Sequence, residues 1–214
     1  MLHGSVVQAV EYVILLVLSL TVHEWAHAWS AHKLGDDTAK RMGRLTLDPM
    51  AHIDPIGTLL LPLLGVPFGW AKPVPVNPAN FRRNISQSAG MAITAAAGPL
   101  SNLILATVCA IVYALMWRQG LMYSQPAIDA LLQGGMTINV TLAVFNLLPV
   151  PPLDGSRIVE HFVPYKSRPT WESFQRFAPF VLLLLIMGGS VVLNGPIRAV
   201  NGVLAKLIQS IVGA

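Results

Sequence analysis

Charge is what this sequence has least of. Charged side chains make up 11% of the chain's 214 residues, against about 25% in an ordinary soluble domain. That leaves little polar material to cover a water-facing surface, while 54% of the residues are hydrophobic. A soluble core is therefore not the natural way to bury this chain. Cysteine is nearly absent: Cys109 stands alone in an apolar stretch, which excludes a disulfide framework. The N-terminus lacks the basic stretch that opens a secretory signal, and its apolar run outlasts a signal's hydrophobic region, so no cleavable signal is expected. Internal repeats and low-complexity tracts are missing as well.

Long hydrophobic runs are what the chain has instead. A transmembrane helix needs about 20 apolar residues, and residues 6–32, 89–117, 128–148 and 177–193 read as four spans. The expected fold is an all-α integral membrane protein, a multi-span helical bundle forming a single membrane-embedded domain over residues 1–214. Residues 59–68, LLLPLLGVPF, are apolar but short and broken by Pro62, Gly65 and Pro67. They read as a re-entrant or interfacial segment, extended or β-hairpin-like where it continues into the next stretch. In residues 196–212, Ile197, Val200, Leu204, Leu207, Ile208 and Ile211 recur at helical spacing, interrupted by Arg198, Asn201, Lys206 and Gln209. An amphipathic helix lying on the membrane surface fits that pattern, with a fifth span as the alternative.

Basic residues set the orientation. Lys33, Lys40, Arg41, Arg44, Lys72, Arg82 and Arg83 follow the first span, and Arg157, Lys166, Arg168 and Arg176 follow the third. The short connection between the second and third holds Arg118 alone. Both long connections are expected on the cytoplasmic side of a cell membrane, with the N-terminus outside. The formal net charge of +4 follows from this bias and calls for no nucleic-acid partner.

The first run ends in TVHEWAHAWSAHKLG, residues 21–35. Charged groups at a helix centre cost about 2.5–3.5 kcal/mol each on insertion scales, so they need a reason to be there. His23 and His27 lie about 40° apart on one helical face, close enough for two imidazoles to share a tetrahedral metal ion. Glu24 is placed to take a proton from water that the metal activates, without being a ligand. His32 lies about 140° further round the helix and is expected to be structural, as is His3. Trp25 and Trp29 are expected to pack or to sit at a lipid interface. Two histidines do not complete a catalytic zinc site, which usually has three protein ligands and one open position. The metzincin continuation HxxGxxH is absent, so the third ligand comes from elsewhere in the chain.

Asp154 is the acidic residue whose setting stands out. It closes NLLPVPPLDG, residues 146–155, where Pro149, Pro151 and Pro152 stop an apolar helix and Gly155 lets the chain turn. Irregular backbone at membrane depth is tolerated where it is buried in protein or lines a polar cavity, which makes a carboxylate there a functional candidate. The remaining acidic residues are expected to cap, solvate or pair with basic neighbours.

HEWAH in the first span, GPLSN in the second and NLLPVPPLDG ending the third together resemble the site-2 protease family of intramembrane zinc metalloproteases. The connection GRLTLDPMAHIDPIGTLLLP, followed by FGWAKPVPVNPANF, is similar to the small prokaryotic branch of that family. The likeness covers residues from about 20 to 160. It implies one zinc ion per chain held by His23, His27 and Asp154, with Glu24 as the catalytic glutamate. It also implies that Asn146 polarises or holds the scissile carbonyl. The expected partners are the lipid bilayer and a transmembrane protein substrate. The sequence departs from the pattern at TLDP, where Asp48 stands in place of an expected asparagine, and it has no room for a PDZ or CBS domain.

Two further readings concern the substrate. Asn102 and Ser101 either line a water path to the metal or bond between helices beside Gly98 and residues 95–97. In FGWAKPVPVNP, residues 68–78, each X-Pro step favours extended backbone. Pro73 and Pro75 strip donors from one edge, while Val74 and Val76 keep theirs on the other, which suits a strand that pairs with an unwound substrate or with its own loop. A membrane metal transporter using His23, His27 and Asp154 as a transit site is the competing function. Glu24 beside the histidines argues for hydrolysis instead, and six scattered histidines without HxxHH argue against a di-iron oxidase.

Overall fold

Helix follows the apolar runs and stops where capping residues and prolines fall. In the computed structural model, which describes residues 2–64, 69–188 and 190–213, α1 is Leu2–Leu34, α2 Gln87–Arg118 and α3 Pro126–Asn146. The short α4 is Asp154–Phe162, and α5 and α6 are Arg168–Gly188 and Ser190–Val212. The hydroxyl of Ser86 accepts the Ala89 N–H at 3.2 Å and so caps α2. Pro126 opens α3, where its missing N–H costs nothing, and α3 ends ahead of Pro149.

α2 is the central helix and touches α1, α3, α4 and α6. Its buried face is a stripe of small residues, Ala95, Gly98, Asn102, Ala106, Ala110 and Ala114. Its other face exposes Ile93, Leu100, Ile104, Val108 and Leu115. Small residues let helix backbones approach where no water drives them together, and a broad exposed apolar face is what lipid requires. Among the described residues, four helices are long and apolar enough to cross a membrane: Gln8–Leu34, Gln87–Arg118, Pro126–Asn146 and Val191–Val212.

The fourth of these differs from the expected division. One helix, α6, runs through Pro196, so the boundary between a span at 177–193 and a surface helix at 196–212 falls inside it. Leu204 is buried against Ala106, Ala110, Val140 and Val144, and Leu193, Ile197, Val200 and Ile208 pack on the same cluster. The apolar face of α6 thus meets α2 and α3, while Arg198 and Lys206 are exposed. Those two charges interrupt the sequence of the helix without interrupting its packing face. α5 carries Arg168, Glu172 and Arg176 in its first half. Its Ala178 is buried against Val150 and Leu153, which docks α5 on the proline-rich turn after α3.

Between α1 and α2 the chain is mostly irregular. Asp54 caps a helical turn at Pro55–Leu60 by accepting the Ile56 and Gly57 amides, and residues 65–68 of the expected re-entrant segment lie outside the described residues. Residues 69–77 are extended, yet no strand occurs among the described residues. The segment expected to be extended or hairpin-like sends its donors to loop carbonyls and side chains. Trp70 N donates to Gly57 O at 3.3 Å and Lys72 N to His52 O at 2.9 Å, while the Arg44 guanidinium donates to the Lys72 carbonyl. Fully buried Asp36 ties the far end down, accepting Asn77 N at 2.7 Å and Asn80 Nδ2 at 2.9 Å. Burial pushes the Asp36 carboxyl up, but the hydrogen bonds from Thr38, Asn80 and Asn77 outweigh it and hold the group below its ordinary value.

Candidate metal centre and active site

One helical turn of α1 brings the His23 and His27 rings edge to face, 4.6 Å apart, with their Nε2 atoms 3.0 Å from each other. Asp154, the first residue of α4, completes the group. Its Oδ2 lies 3.2 Å from His23 Nε2 and its Oδ1 lies 3.4 Å from His27 Nε2. The turn from Leu147 to Leu153 folds back tightly to deliver it. A Cβ on Gly155 would sit 2.2 Å from the Leu147 carbonyl oxygen, so only glycine fits after the aspartate.

Each imidazole is oriented from behind. His27 Nδ1 donates to the Thr94 carbonyl at 2.7 Å. His23 Nδ1 donates to Asn102 Oδ1 at 2.6 Å, since the Asn102 amide nitrogen is committed to Asn139 Oδ1 at 2.8 Å. Asn139 in turn donates to Ser19 Oγ at 3.0 Å. With both Nδ1 atoms protonated, the two Nε2 lone pairs and the Asp154 oxygens face one another with no donor between them. Asp154 Oδ2 is buried without a hydrogen-bond partner. A cation is what such a set of acceptors requires. Zinc held at about 2.0–2.2 Å spaces tetrahedral donors roughly 3.3–3.6 Å apart; the separations here, 3.0, 3.2 and 3.4 Å, run from that spacing to a few tenths of an ångström below it. His23, His27 and Asp154 form the group able to hold a metal among the described residues.

A cavity of about 840 Å³ opens beside this group. Glu24, Asn146, Val74 and Val76 line it together with His23, His27 and Asp154, and Leu16, Leu20, Ile138 and Leu142 give it apolar walls. Glu24 Oε2 accepts the Val74 N–H at 2.8 Å. The Val74 edge, expected to lie open or to pair with its own loop, therefore spends its donor on the glutamate beside the metal ligands. Asn146 Nδ2 donates to Leu142 O at 3.0 Å, which uses one of its two amide hydrogens.

Asn102 lies behind the histidines. It is fully buried and does not line this cavity, and it bonds between helices, the second of the two roles expected of it. A carboxamide whose two ends are tied to His23 and Asn139 is an orienting group. Ser101 donates to the Gly98 carbonyl at 2.7 Å. His32 pairs with Asp37 at 2.5 Å, and His161 bonds Ser88 at 3.0 Å, both away from the metal group. Asp48 caps the Met50 amide at 3.0 Å. Trp25 and Trp29 stack at 6.0 Å with Lys33 over the Trp29 ring.

Sequence reasoning missed three contributors. Ser19 and Asn139 look like stray polar residues in apolar helices. Gly98 reads as a packing residue, yet a Cβ there would lie 2.5 Å from His27 Nε2 and 2.6 Å from His23 Cε1. The available signal was the cost of polar groups inside a span, which marks Ser19 and Asn139 as partners of something. Asn139→Ala is expected to lower zinc affinity about 10–100-fold, the usual cost of losing a group that orients a ligand. Titration of the purified variant against a zinc-competing dye checks this, and an unchanged affinity would separate Asn139 from the metal group.

The profile of peptidase family M50 matches residues 121–189, the part that contains Asp154. Over 204 residues the chain is 42% identical to "Putative zinc metalloprotease YwhC" of Bacillus subtilis, covering 93% of this chain and 91% of the relative. It is 30% identical over 205 residues to Rip2 of Mycobacterium tuberculosis, of the same description, covering 91% and 75%. With Rip2 of Mycolicibacterium smegmatis it shares 31% over 173 residues, covering 79% and 64%. No solved structure matches it. Four membrane-capable helices, a His–His–Asp group that could hold a metal ion and relatives of this kind agree on one assignment: the chain is a multi-pass membrane protein of the site-2 protease family, peptidase family M50, and a zinc metalloprotease.

Proposed function

We propose that this metalloprotease is an intramembrane endopeptidase, hydrolysing a peptide bond in or near a transmembrane segment of another membrane protein. His23, His27 and Asp154 hold the zinc ion, Glu24 moves the proton and Asn146 serves the scissile carbonyl. The observation that carries this reading is the placement of the donors and Glu24 in one apolar-walled cavity among membrane-length helices. His27 lies seven residues before the end of α1 at Leu34, about 10 Å along the helix, which suits a site below the membrane surface.

Bound there, zinc supplies a Lewis acid that polarises a peptide carbonyl and makes water a nucleophile at neutral pH. The Glu24 carboxylate takes the water proton and returns it to the leaving amine. The Val74 amide holds that carboxylate in the cavity at 2.8 Å. The amide hydrogen of Asn146 not given to Leu142 is available to the developing oxyanion. Leu16, Leu20, Ile138 and Leu142 offer apolar contact to a hydrophobic segment, and Val74 and Val76 line the same cavity.

Removal and return of the metal tests the reading. Protein stripped by a chelator in detergent is expected to stop cutting a single-span membrane substrate, and one equivalent of zinc to restore the activity. Zinc passing through sealed vesicles, with no cleavage of any such substrate, would favour the transporter instead. The bias of the basic connections supports an active-site end that faces the cytoplasm of a cell membrane. In a Cys109→Ala background, Lys40→Cys and Lys166→Cys are expected to react with an impermeant thiol reagent from the cytoplasmic face, and Ser124→Cys from the outer face. The reverse pattern would invert the topology.

A further inference from the structure

A second cavity, of about 440 Å³, lies between the start of α2 and the α4–α5 region. Its walls differ from those of the first. Arg157, Glu160, Arg168 and Glu172 bring charges of both signs, and Gln87 and Ser88 add polar groups from the first turn of α2. Met91 and Arg157 line both cavities, so the polar chamber and the catalytic one share a wall. Trp171 lines the polar chamber, and its indole N–H is buried with no hydrogen-bond partner. Buried indole donors normally find an acceptor, so this one marks a place where a partner is missing.

We infer that this chamber is a subsite for the polar residues of the substrate that directly flank its transmembrane segment, with the Trp171 indole donating to a main-chain carbonyl of that flank. The inference rests on the intramembrane protease reading and specifies which part of the substrate beyond the apolar segment is gripped. The chemistry of the chamber selects a peptide. Two arginines balanced by two glutamates give no net charge to attract a phosphate or a lipid headgroup, and Arg157 already bonds Glu160 at 3.3 Å. A peptide flank brings its own carbonyls and amides whatever its sequence, and both signs of side chain find a counterpart. Adjacency sets the register: the two cavities adjoin at Met91 and Arg157, and an extended chain, advancing about 3.3 Å per residue, reaches the second within a few residues of the first. The large cavity holds what lies in the membrane, and the small one holds what emerges from it.

The test compares two single-span fusion proteins with the same transmembrane segment. One carries its polar flank and the other has the flank replaced by glycine and serine. Trp171→Phe keeps the ring and removes the donor. It is expected to raise KM about fivefold for the flanked substrate relative to the glycine–serine one, the size of one net hydrogen bond, with kcat and zinc content moving together for both. A benzoylphenylalanine placed at Gln87, in a Glu24→Gln background, is expected to cross-link to the flank and not to the apolar segment. Equal KM changes for the two substrates, or cross-links confined to the apolar segment, would overturn the subsite. Failure of the unsubstituted protein to cut either substrate would fell the protease reading itself, and the subsite with it.

Discussion

Glu24→Gln is expected to lose about 10²–10⁴-fold in cleavage rate, the range that general acid–base catalysis contributes, while keeping close to one zinc per chain. The geometry makes this a clean change. The carboxamide oxygen of the introduced glutamine can still accept the Val74 N–H that now reaches Glu24 Oε2 at 2.8 Å, so the side chain keeps its place and its size. Glu24 stands outside the group of His23, His27 and Asp154, so the donors to the metal are untouched. What disappears is the carboxylate's capacity to take a proton from water and return it to the amine. Zinc content by elemental mass spectrometry, measured beside single-turnover cleavage, separates the two effects. A variant with full zinc and wild-type rate would remove Glu24 from the mechanism. Loss of zinc together with activity would make it a ligand instead.

The parts of the site that follow a local rule were legible in the sequence. His23 and His27 declare themselves by the helical period inside an apolar run, and Asp154 by three prolines that have no business in a continuing span. Likewise the small-residue face of α2 and the ends of α1, α2 and α3 follow from hydropathy, capping and proline. The parts that depend on residues far apart in the chain were not legible. The His23–Asn102 bond joins residues 79 apart in sequence, and the Asn139–Ser19 bond joins residues 120 apart. No periodicity announces a partner at that distance. The imidazole edges that Gly98 admits belong to another helix, so no local pattern names them. α6 was divided too early because Arg198 and Lys206 weigh equally in a hydropathy count whichever way they face. Pattern along a chain reports which face a helix can bury, and only the neighbouring helices decide which face it does.

The Val74 hydrogen bond changes how the extended segment is understood. Trp70, Lys72 and Val74 present their amides along one edge, as alternate residues of an extended chain do. Each of the three has an acceptor inside the protein, in Gly57, His52 and Glu24. Asp36 fixes the other end through Asn77 and Asn80. A segment pinned at four points is part of the wall that sets Glu24 in place.

Asp154→Ala is expected to cost more than 100-fold in zinc affinity and, with it, all measurable cleavage. The lower bound comes from comparison: losing a residue that only orients a ligand costs about 10–100-fold, and Asp154 offers its oxygens directly, 3.2 and 3.4 Å from the two histidine nitrogens. Two imidazoles on one helical turn remain in the variant, so weak binding persists, and the loss is read as zinc stripped by dialysis that the wild type retains. Asp154→Asn sharpens the result. The carboxamide has nearly the shape of the carboxylate and keeps the tight turn at Gly155, but it carries no charge. Zinc loss in both variants assigns the effect to the missing charge, whereas loss in the alanine variant alone shows that a neutral oxygen donor at this position suffices. Helical circular dichroism checks that α4 still forms. Retention of zinc by both would send the third ligand elsewhere, and among the described residues that line the cavity the other carboxylate is Glu24. Zinc content of the Asp154→Ala, Glu24→Gln double variant would then show whether Glu24 had taken over the position.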